Sequence, residues 1–249
     1  MTGKQSPPTG AEPISHEKQF ITLFQKLCTH RSAWQVWADF ITAAALSIAN
    51  ALDKNEAREK ECAECMARIG TEEVASELFS IVVQALEENP RQDFLGTMYM
   101  NLELGSHWKG QFFTPYNICE LMAAIGIKGK IEEIEAEGWT SVNDCACGAG
   151  ATLIAMANKL HEAGVNYQQQ ALFVAQDIDR ITGMMCYVQL SLLGCAGYVV
   201  IADTLSNPVT GNSLKPEAHE GQEFWFTPMY YSDVWNYRRL SRSIFRRQG

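Results

Sequence analysis

The chain has no uninterrupted apolar run approaching the ~18 residues that a bilayer crossing needs, so nothing in it reads as a membrane span. An apolar segment is also missing from its start. MTGKQSPPTGAEP is polar and rich in Pro and Gly, which excludes a secretory signal and reads as a disordered lead over residues 1–15. Positive charge is scarce: 20 Lys and Arg stand against 29 Asp and Glu, for a formal charge of −9. That balance excludes a protein that coats nucleic acid nonspecifically. The exception is local, because Arg238, Arg239, Arg242, Arg246 and Arg247 crowd the C-terminal segment. No His-x-x-His or His-Glu-x-x-His run marks a metal site, and no Gly-Lys-Ser/Thr marks a phosphate loop. His30, His107 and His161 read as exposed or capping residues.

What is present points to a folded protein. Hydrophobic residues make up 47 % and aromatics 10 % of 249 residues, enough for a sizeable core. The eight cysteines lie partly within apolar runs and follow no signal segment, so they read as reduced thiols in a cytoplasmic protein. Cys145-x-Cys147 is too closely spaced for a zinc knuckle, and Cys62-x-x-Cys65 falls in a charged helical run. No structural metal is expected.

Residues 16–104 read as helical. HEKQFITLFQKLCTH puts Phe20, Phe24 and Leu27 on one face, and AWQVWADFITAAALSIANAL continues as a long apolar helix. Two further helices follow, the second opened by Thr71 with acidic residues in its first turn, and QDFLGTMYMNLEL is a fifth. After residue 105 the texture changes. A helix from near Pro115 covers YNICELMAAIG and gives way to a polar stretch. Then come a short strand (WTSVNDC), a Gly-rich turn, a helix (ATLIAMANKLHEAG), a strand (QALFVAQDID), a helix and a third strand (AGYVVIADTL). This βαβαβ order implies an α/β domain over 105–249 with a mostly parallel sheet, preceded by the helical domain.

The carboxyl ends of these strands carry the chemistry. Asp144 stands just past the first strand, with Gly148 and Gly150 in the turn before a helix. Glycines there allow close approach of a ligand to backbone N–H groups at the helix start. A tight βα turn with no ligand explains the glycines alone equally well. The second strand ends in Asp177, placed for ribose hydroxyls, while Asp179 is a candidate cap for the next helix. Asp203 ends the third strand, within reach of an adenine ring or its amine. Three successive strand ends with carboxylates favour a nucleoside-bearing cofactor. Upstream, GQFFTPYNICELM joins Phe112 and Phe113 to Thr114 and Pro115 at a helix start.

GQFFTP before a helix, D-x-A-C-G-x-G in a βα turn, Q-D-I-D after the next strand and A-D-T-L after the third resemble, as an ordered set, the N-6 adenine-specific DNA methylases. These are the methylation subunits of type I restriction-modification systems. The resemblance covers about residues 105–205 and implies a Rossmann-like S-adenosylmethionine-dependent methyltransferase sheet. It places Phe113, Thr114 and Pro115 near the methionine part of the cofactor. Asp144, Ala146, Gly148 and Gly150 fall in the cofactor turn, Asp177 on the ribose and Asp203 by the adenine ring, with Cys147 a small packed residue. DNA adenine is the implied substrate, and a specificity subunit or other protein the implied partner.

The family's Asn-Pro-Pro-Phe/Tyr is missing. That motif accepts hydrogen bonds from the target amine and stacks on a flipped adenine. Two partial substitutes exist. Asn207-Pro208-Val209-Thr210 follows the third strand closely and lacks the aromatic. Thr227-Pro228-Met229-Tyr230 follows the apolar EFWF, so the expectation is that Thr227 and the Pro228 backbone face the amine and Tyr230 stacks on the base. The residues after Tyr230 are too few for the family's remaining strands and a target-recognition domain, which implies a compact or truncated member whose partner reads the DNA. The reading is therefore a DNA adenine methyltransferase, with a catalytically silent cofactor-binding or assembly protein as the alternative. A nicotinamide-linked oxidoreductase ranks third because the glycine pattern is incomplete.

Overall fold

A computed structural model describes residues 15–104 and 113–245. The expected lead up to residue 14, Phe112, His107, Arg246 and Arg247 lie outside the described residues. Five helices come first: α1 (His16–Leu27), α2 (Ala33–Leu52), α3 (Glu56–Ile69), α4 (Glu72–Glu88) and α5 (Phe94–Asn101). Each begins on a side chain that accepts from its first turn: Ser15, Ser32, Asn55, Thr71 and Asp93. These short polar residues satisfy N–H groups that have no partner within the helix.

The second part opens with α6 (Tyr116–Glu137) and β1 (Thr140–Asp144). Next come α7 (Ala151–Glu162), the single turn α8 (Tyr167–Gln170), β2 (Ala171–Asp177), α9 (Arg180–Leu192) and β3 (Ala196–Ile201). A small hairpin, β4 (Thr210–Asn212) with β5 (Lys215–Glu217), precedes β6 (Glu223–Phe226) and α10 (Asp233–Phe245). The main sheet has the order β1-β2-β3-β6. β1, β2 and β3 are parallel and β6 runs antiparallel to β3. An N-terminal helical region thus precedes a mixed sheet flanked by helices, the Rossmann-like arrangement expected.

The stretch KGKIEEIEAEG, read as polar and non-helical, is the second half of α6. Its charges fold back on the sheet: Lys130 donates to Ser141 O at 2.9 Å, and Thr140 bonds to Glu133. Polarity here marks a solvated helix face over an edge strand. On another face α6 leaves Ile118, Leu121, Met122 and Ile125 exposed at i, i+3, i+4 and i+7, one stripe in helical register.

One apolar cluster runs through both parts of the chain, from Phe20 and Trp37 through Phe94 and Tyr99 to Cys147, Phe173, Tyr187 and Trp225. Its centre is aromatic. Phe20 meets Trp37, Phe40 and Phe94 edge-on at 5.7–6.0 Å, and Tyr99 carries contacts on to Trp37 at 6.0 Å and Phe113 at 5.1 Å. Such geometry adds about 0.5–1.5 kcal/mol per pair to area burial. Arg180 reinforces the junction with ion pairs to Glu61 of α3 (3.3 Å) and Glu223 of β6 (3.1 Å). The other sheet face is closed by Tyr198, Tyr230 and Trp235, with Leu214 from the hairpin end.

A shared core predicts one unfolding event. Urea titration followed by tryptophan fluorescence and by far-UV circular dichroism should give coincident midpoints. Trp37→Ala should lower stability by about 3–5 kcal/mol and move both probes together; separated midpoints would show two independent units.

Candidate functional site

The parallel strands bring Asp144, Asp177 and Asp203 to one edge of the sheet. Asp144 ends β1 beside Ala175, Asp177 ends β2 beside Ile201, and Asp203 follows β3 by two residues. Between β1 and α7 the chain makes a turn that only glycine accepts easily. Gly148 (φ +53°) and Gly150 (φ +98°) are both left-handed. A Cβ on Gly148 would stand 3.1 Å from the Phe113 ring, and one on Gly150 would stand 2.9 Å from Cys186 Sγ. Gly150 also precedes α7, which has no side-chain cap, so the helix start presents backbone N–H groups to this edge.

Asp177 is tied into that turn. Its Oδ2 accepts from Gly148 N at 2.8 Å, and its Oδ1 accepts from Asp179 N (2.9 Å) and Thr182 Oγ1 (3.1 Å). The carboxylate thereby joins the β1–α7 turn to the β2–α9 turn. Asp179 is the cap of α9, accepting from Ile181 N and Thr182 N. Asp144 closes its own loop by accepting from Ala146 N at 3.1 Å. Asp203 accepts from Leu205 N (2.9 Å) and Ser206 Oγ (2.9 Å). Those bonds, the backbone one foremost, hold its carboxyl below the usual range.

Phe113 leans over Gly148 and against Tyr99, whereas Thr114 and Pro115 are exposed at the start of α6. The two cysteines of the turn part company. Cys147 is buried, and the neighbouring Cys186 thiol together with burial pushes its own thiol well up, as suits an inert packing residue. Cys145 is exposed, and its carbonyl accepts from Thr204 Oγ1 at 2.6 Å. Among the described residues, no group of three or more His, Cys, Asp or Glu side chains could hold a metal ion. No described helix is long and apolar enough to cross a membrane.

The expected catalytic residues are not brought to this edge. Thr227, Pro228 and Tyr230 follow β6, and β6 is antiparallel to β3, with Glu223 beside Ile201 and Phe226 beside Tyr198. The end of β6 therefore faces the start of β3, roughly 20 Å from Asp203 at about 3.3 Å per residue. Thr227 is 0 % exposed; its hydroxyl donates to Cys195 O (2.7 Å) and accepts from Gly197 N (3.0 Å). Pro228 starts a 3₁₀ turn. Tyr230 donates to Leu214 O at 2.8 Å, with the Arg239 guanidinium 3.9 Å from its ring centre. These three residues close the sheet's far end; they do not form a site with the aspartates. Nor are Arg238 and Arg239 free for phosphates. Arg238 lies over Trp235 and donates to Gln169 O and Gly138 O, and Arg239 donates to Tyr230 O.

Of the two partial substitutes named in the sequence, the one not preferred lies at the aspartate edge. Asn207 and Pro208 are held there by Gln176, which is 3 % exposed. Gln176 donates to Asn207 O (2.9 Å) and Ala202 O (3.2 Å) and accepts from Val209 N (3.0 Å). Ile178 (68 % exposed) and Leu205 (95 % exposed) flank Asp177 and Asp203. A glutamine in an otherwise apolar strand was a readable signal for the first group; the exposure of two aliphatic side chains was not.

Two substitutions separate the two ends of the sheet. Thr227→Val leaves Gly197 N and Cys195 O without their side-chain partner and should lower stability by about 1–3 kcal/mol. Gly150→Ala meets both left-handed strain and Cys186 and should cost a similar amount. In ligand titrations, only the glycine variant should also alter binding at the aspartate edge.

The model of the family described as N-6 DNA Methylase matches residues 92–247. Among solved structures, the type I restriction-modification methyltransferase subunit from Streptococcus thermophilus is similar at 14 % identity and a TM-score of 0.42. That similarity covers 80 % of this chain and 60 % of the subunit, so the chain spans well under two thirds of it. A Listeria monocytogenes protein assigned as a class I S-adenosylmethionine-dependent methyltransferase is similar at 15 % identity and a TM-score of 0.45, over 93 % of this chain and 79 % of that one. No curated protein matches the chain. The family match starts at Gln92, at the foot of α5, and takes in every strand and the whole aspartate edge: the chain belongs to the N-6 DNA methylase family.

Proposed function

We propose that the aspartate edge binds S-adenosylmethionine and that the chain serves methyl transfer to the exocyclic amine of adenine in DNA. The observation that carries this reading is the convergence of Asp144, Asp177 and Asp203 with two left-handed glycines on the carboxyl ends of three parallel strands. That is where open α/β sheets hold nucleotide ligands. The residues present suit the cofactor. Phe113 lies close against Gly148, with room for no side chain between them, and the uncapped start of α7 suits a carboxylate. Asp177 lies at the position for ribose hydroxyls and Asp203 at that for an adenine amine, with Ile178 and Leu205 as apolar flanks for the ring. The cofactor supplies an electrophilic methyl group, which leaves the chain to bind, orient and desolvate the reactants.

With Thr227 and Tyr230 at the far end, the amine-orienting role passes in this proposal to Asn207. It follows Asp203 at the same edge, donates through Nδ2 to Glu220 O at 2.9 Å, and has no donor to its Oδ1 among the described residues. The placement of Thr227 and Tyr230 also favours a second reading, a cofactor-holding or assembly protein whose catalytic group comes from elsewhere. Sequence recognition belongs to a partner on either reading, and the apolar stripe on α6 suits a protein one.

Calorimetry should show S-adenosylmethionine binding to the wild type and at least about tenfold weaker binding to Asp177→Ala, which is ~1.4 kcal/mol. Absence of binding by the wild type would defeat both readings. Labelled-methyl transfer to mixed-sequence DNA should fall by about 10²-fold or more in Asn207→Ala while cofactor affinity holds. A wild type that binds the cofactor and transfers nothing, with or without candidate partners, leaves the silent protein as the answer.

A further inference from the structure

Gln189 of α9 is 0 % exposed and lies in the middle of a helix that is otherwise apolar there. Its amide is almost fully used. Nε2 donates to Asp93 Oδ1 (2.8 Å) and to Ala149 O (2.8 Å), and Oε1 accepts from Leu95 N (3.1 Å). Both amide hydrogens go to oxygens, so the side chain has one orientation; reversing it would set its oxygen against a carboxylate and a carbonyl. Asp93 is 5 % exposed and also accepts from Gly96 N at 2.8 Å, which makes it both the cap of α5 and the anchor of Gln189. No basic side chain neutralises it among the described residues, and burial pushes its carboxyl up while the bonds from Gln189 and Gly96 pull the other way.

Ala149 is the residue between Gly148 and Gly150. The cofactor-type turn therefore hangs on α5 through Gln189. A second contact reaches the turn from the same helix: Tyr99 packs on Phe113 at 5.1 Å, and Phe113 covers Gly148. The opposite side of α5 is held by α1 and α2, with Phe94 against Phe20 (5.8 Å) and Tyr99 against Trp34 (6.3 Å) and Trp37 (6.0 Å). We infer that α5, through Asp93, Gln189 and Ala149, is a positioning element that makes affinity at the Gly148–Gly150 turn depend on how the N-terminal helices are seated. This rests on the reading of the turn as the S-adenosylmethionine site. Gln189 and Asp93 act through the turn backbone and touch no ligand.

The test uses the full chain and S-adenosylmethionine, with affinity from calorimetry and stability from thermal melts without ligand. Gln189→Met keeps the length and apolar packing of the side chain and removes its three hydrogen bonds. Asp93→Ser keeps a cap for α5 but is too short to hold Gln189. Each should weaken binding about tenfold, whereas Asp93→Asn, which can still accept from both partners, should stay within about twofold of wild type. Leu214→Ala at the hairpin end is the control, a buried cavity mutation in the separate cluster on the other face of the sheet, and it should lower the melting temperature without changing affinity. Folded Gln189→Met and Asp93→Ser proteins with wild-type affinity would overturn the inference. So would a Leu214→Ala protein that loses as much affinity as they do. If the wild type itself binds no S-adenosylmethionine, the reading of the site fails first and is seen to fail separately.

Discussion

The structure depends on a peptide turn that cannot hold itself. Gly148 and Gly150 take left-handed conformations that leave several N–H and C=O groups pointing away from both β1 and α7. In water such a turn would be one of many states. Here one bond lies within the turn, Gly150 N to Cys147 O, and the other groups are claimed from outside: Cys147 N and Gly148 N by Gln176 O and Asp177 of β2, and Ala149 O by Gln189 of α9. The turn is fixed because a strand and a helix that also pack on each other agree on its position. This is also why the N-terminal helices share a core with the sheet, since α5 supplies the partner that orients Gln189.

The same constraint gives the sheet its two unlike ends. At the aspartate end, side chains are partly exposed and bonded to loops, and Ile178 and Leu205 stand in water. At the far end, Thr227, Tyr230 and Trp235 are buried and their polar atoms are paired with carbonyls of β3, the hairpin end and α8. One end is left open and the other is closed by the chain itself. The reversal of β6 produces this division. A parallel fourth strand would have carried Thr227 to the open end, whereas an antiparallel one feeds it back under Gly197.

Direction of pairing is a long-range property, and this is where sequence reasoning stopped. The βα units, the caps at Thr71 and Asp179 and the role of Cys147 were legible because each depends on neighbours a few residues away. EFWF reads as a strand for the same reason, but nothing within it tells which way it runs against AGYVVI. The continuation of α6 through KGKIEEIEAEG was missed because its charges read as a polar connection, although Lys128 pairs with Glu132 and Lys130 with Glu133 along the helix, and Lys130 also reaches β1. Gln176 and Gln189 were the neglected clues. A glutamine inside VAQD or CYVQLSLL must find partners or destabilise the element that carries it, so each announces a buried polar junction before any fold is known.

Those two glutamines also explain why the site needs so few charges. Gln176 meets only backbone groups and Gln189 meets one carboxylate, Asp93, yet Gln176 fixes the Asn207–Val209 segment and Gln189 fixes the Gly148–Gly150 turn, one on each side of Asp177. A neutral amide can donate and accept in one plane, so it joins two backbone segments without placing a buried charge beside the aspartates. A lysine or arginine at either position would neutralise Asp177 or Asp93 and draw it away from the N–H groups it now serves. Keeping cations away leaves the aspartates to bond with neutral donors, such as those of the turn. The electrostatics of the edge therefore suit a ligand rich in hydroxyl and amine donors, and they are set by residues that carry no charge.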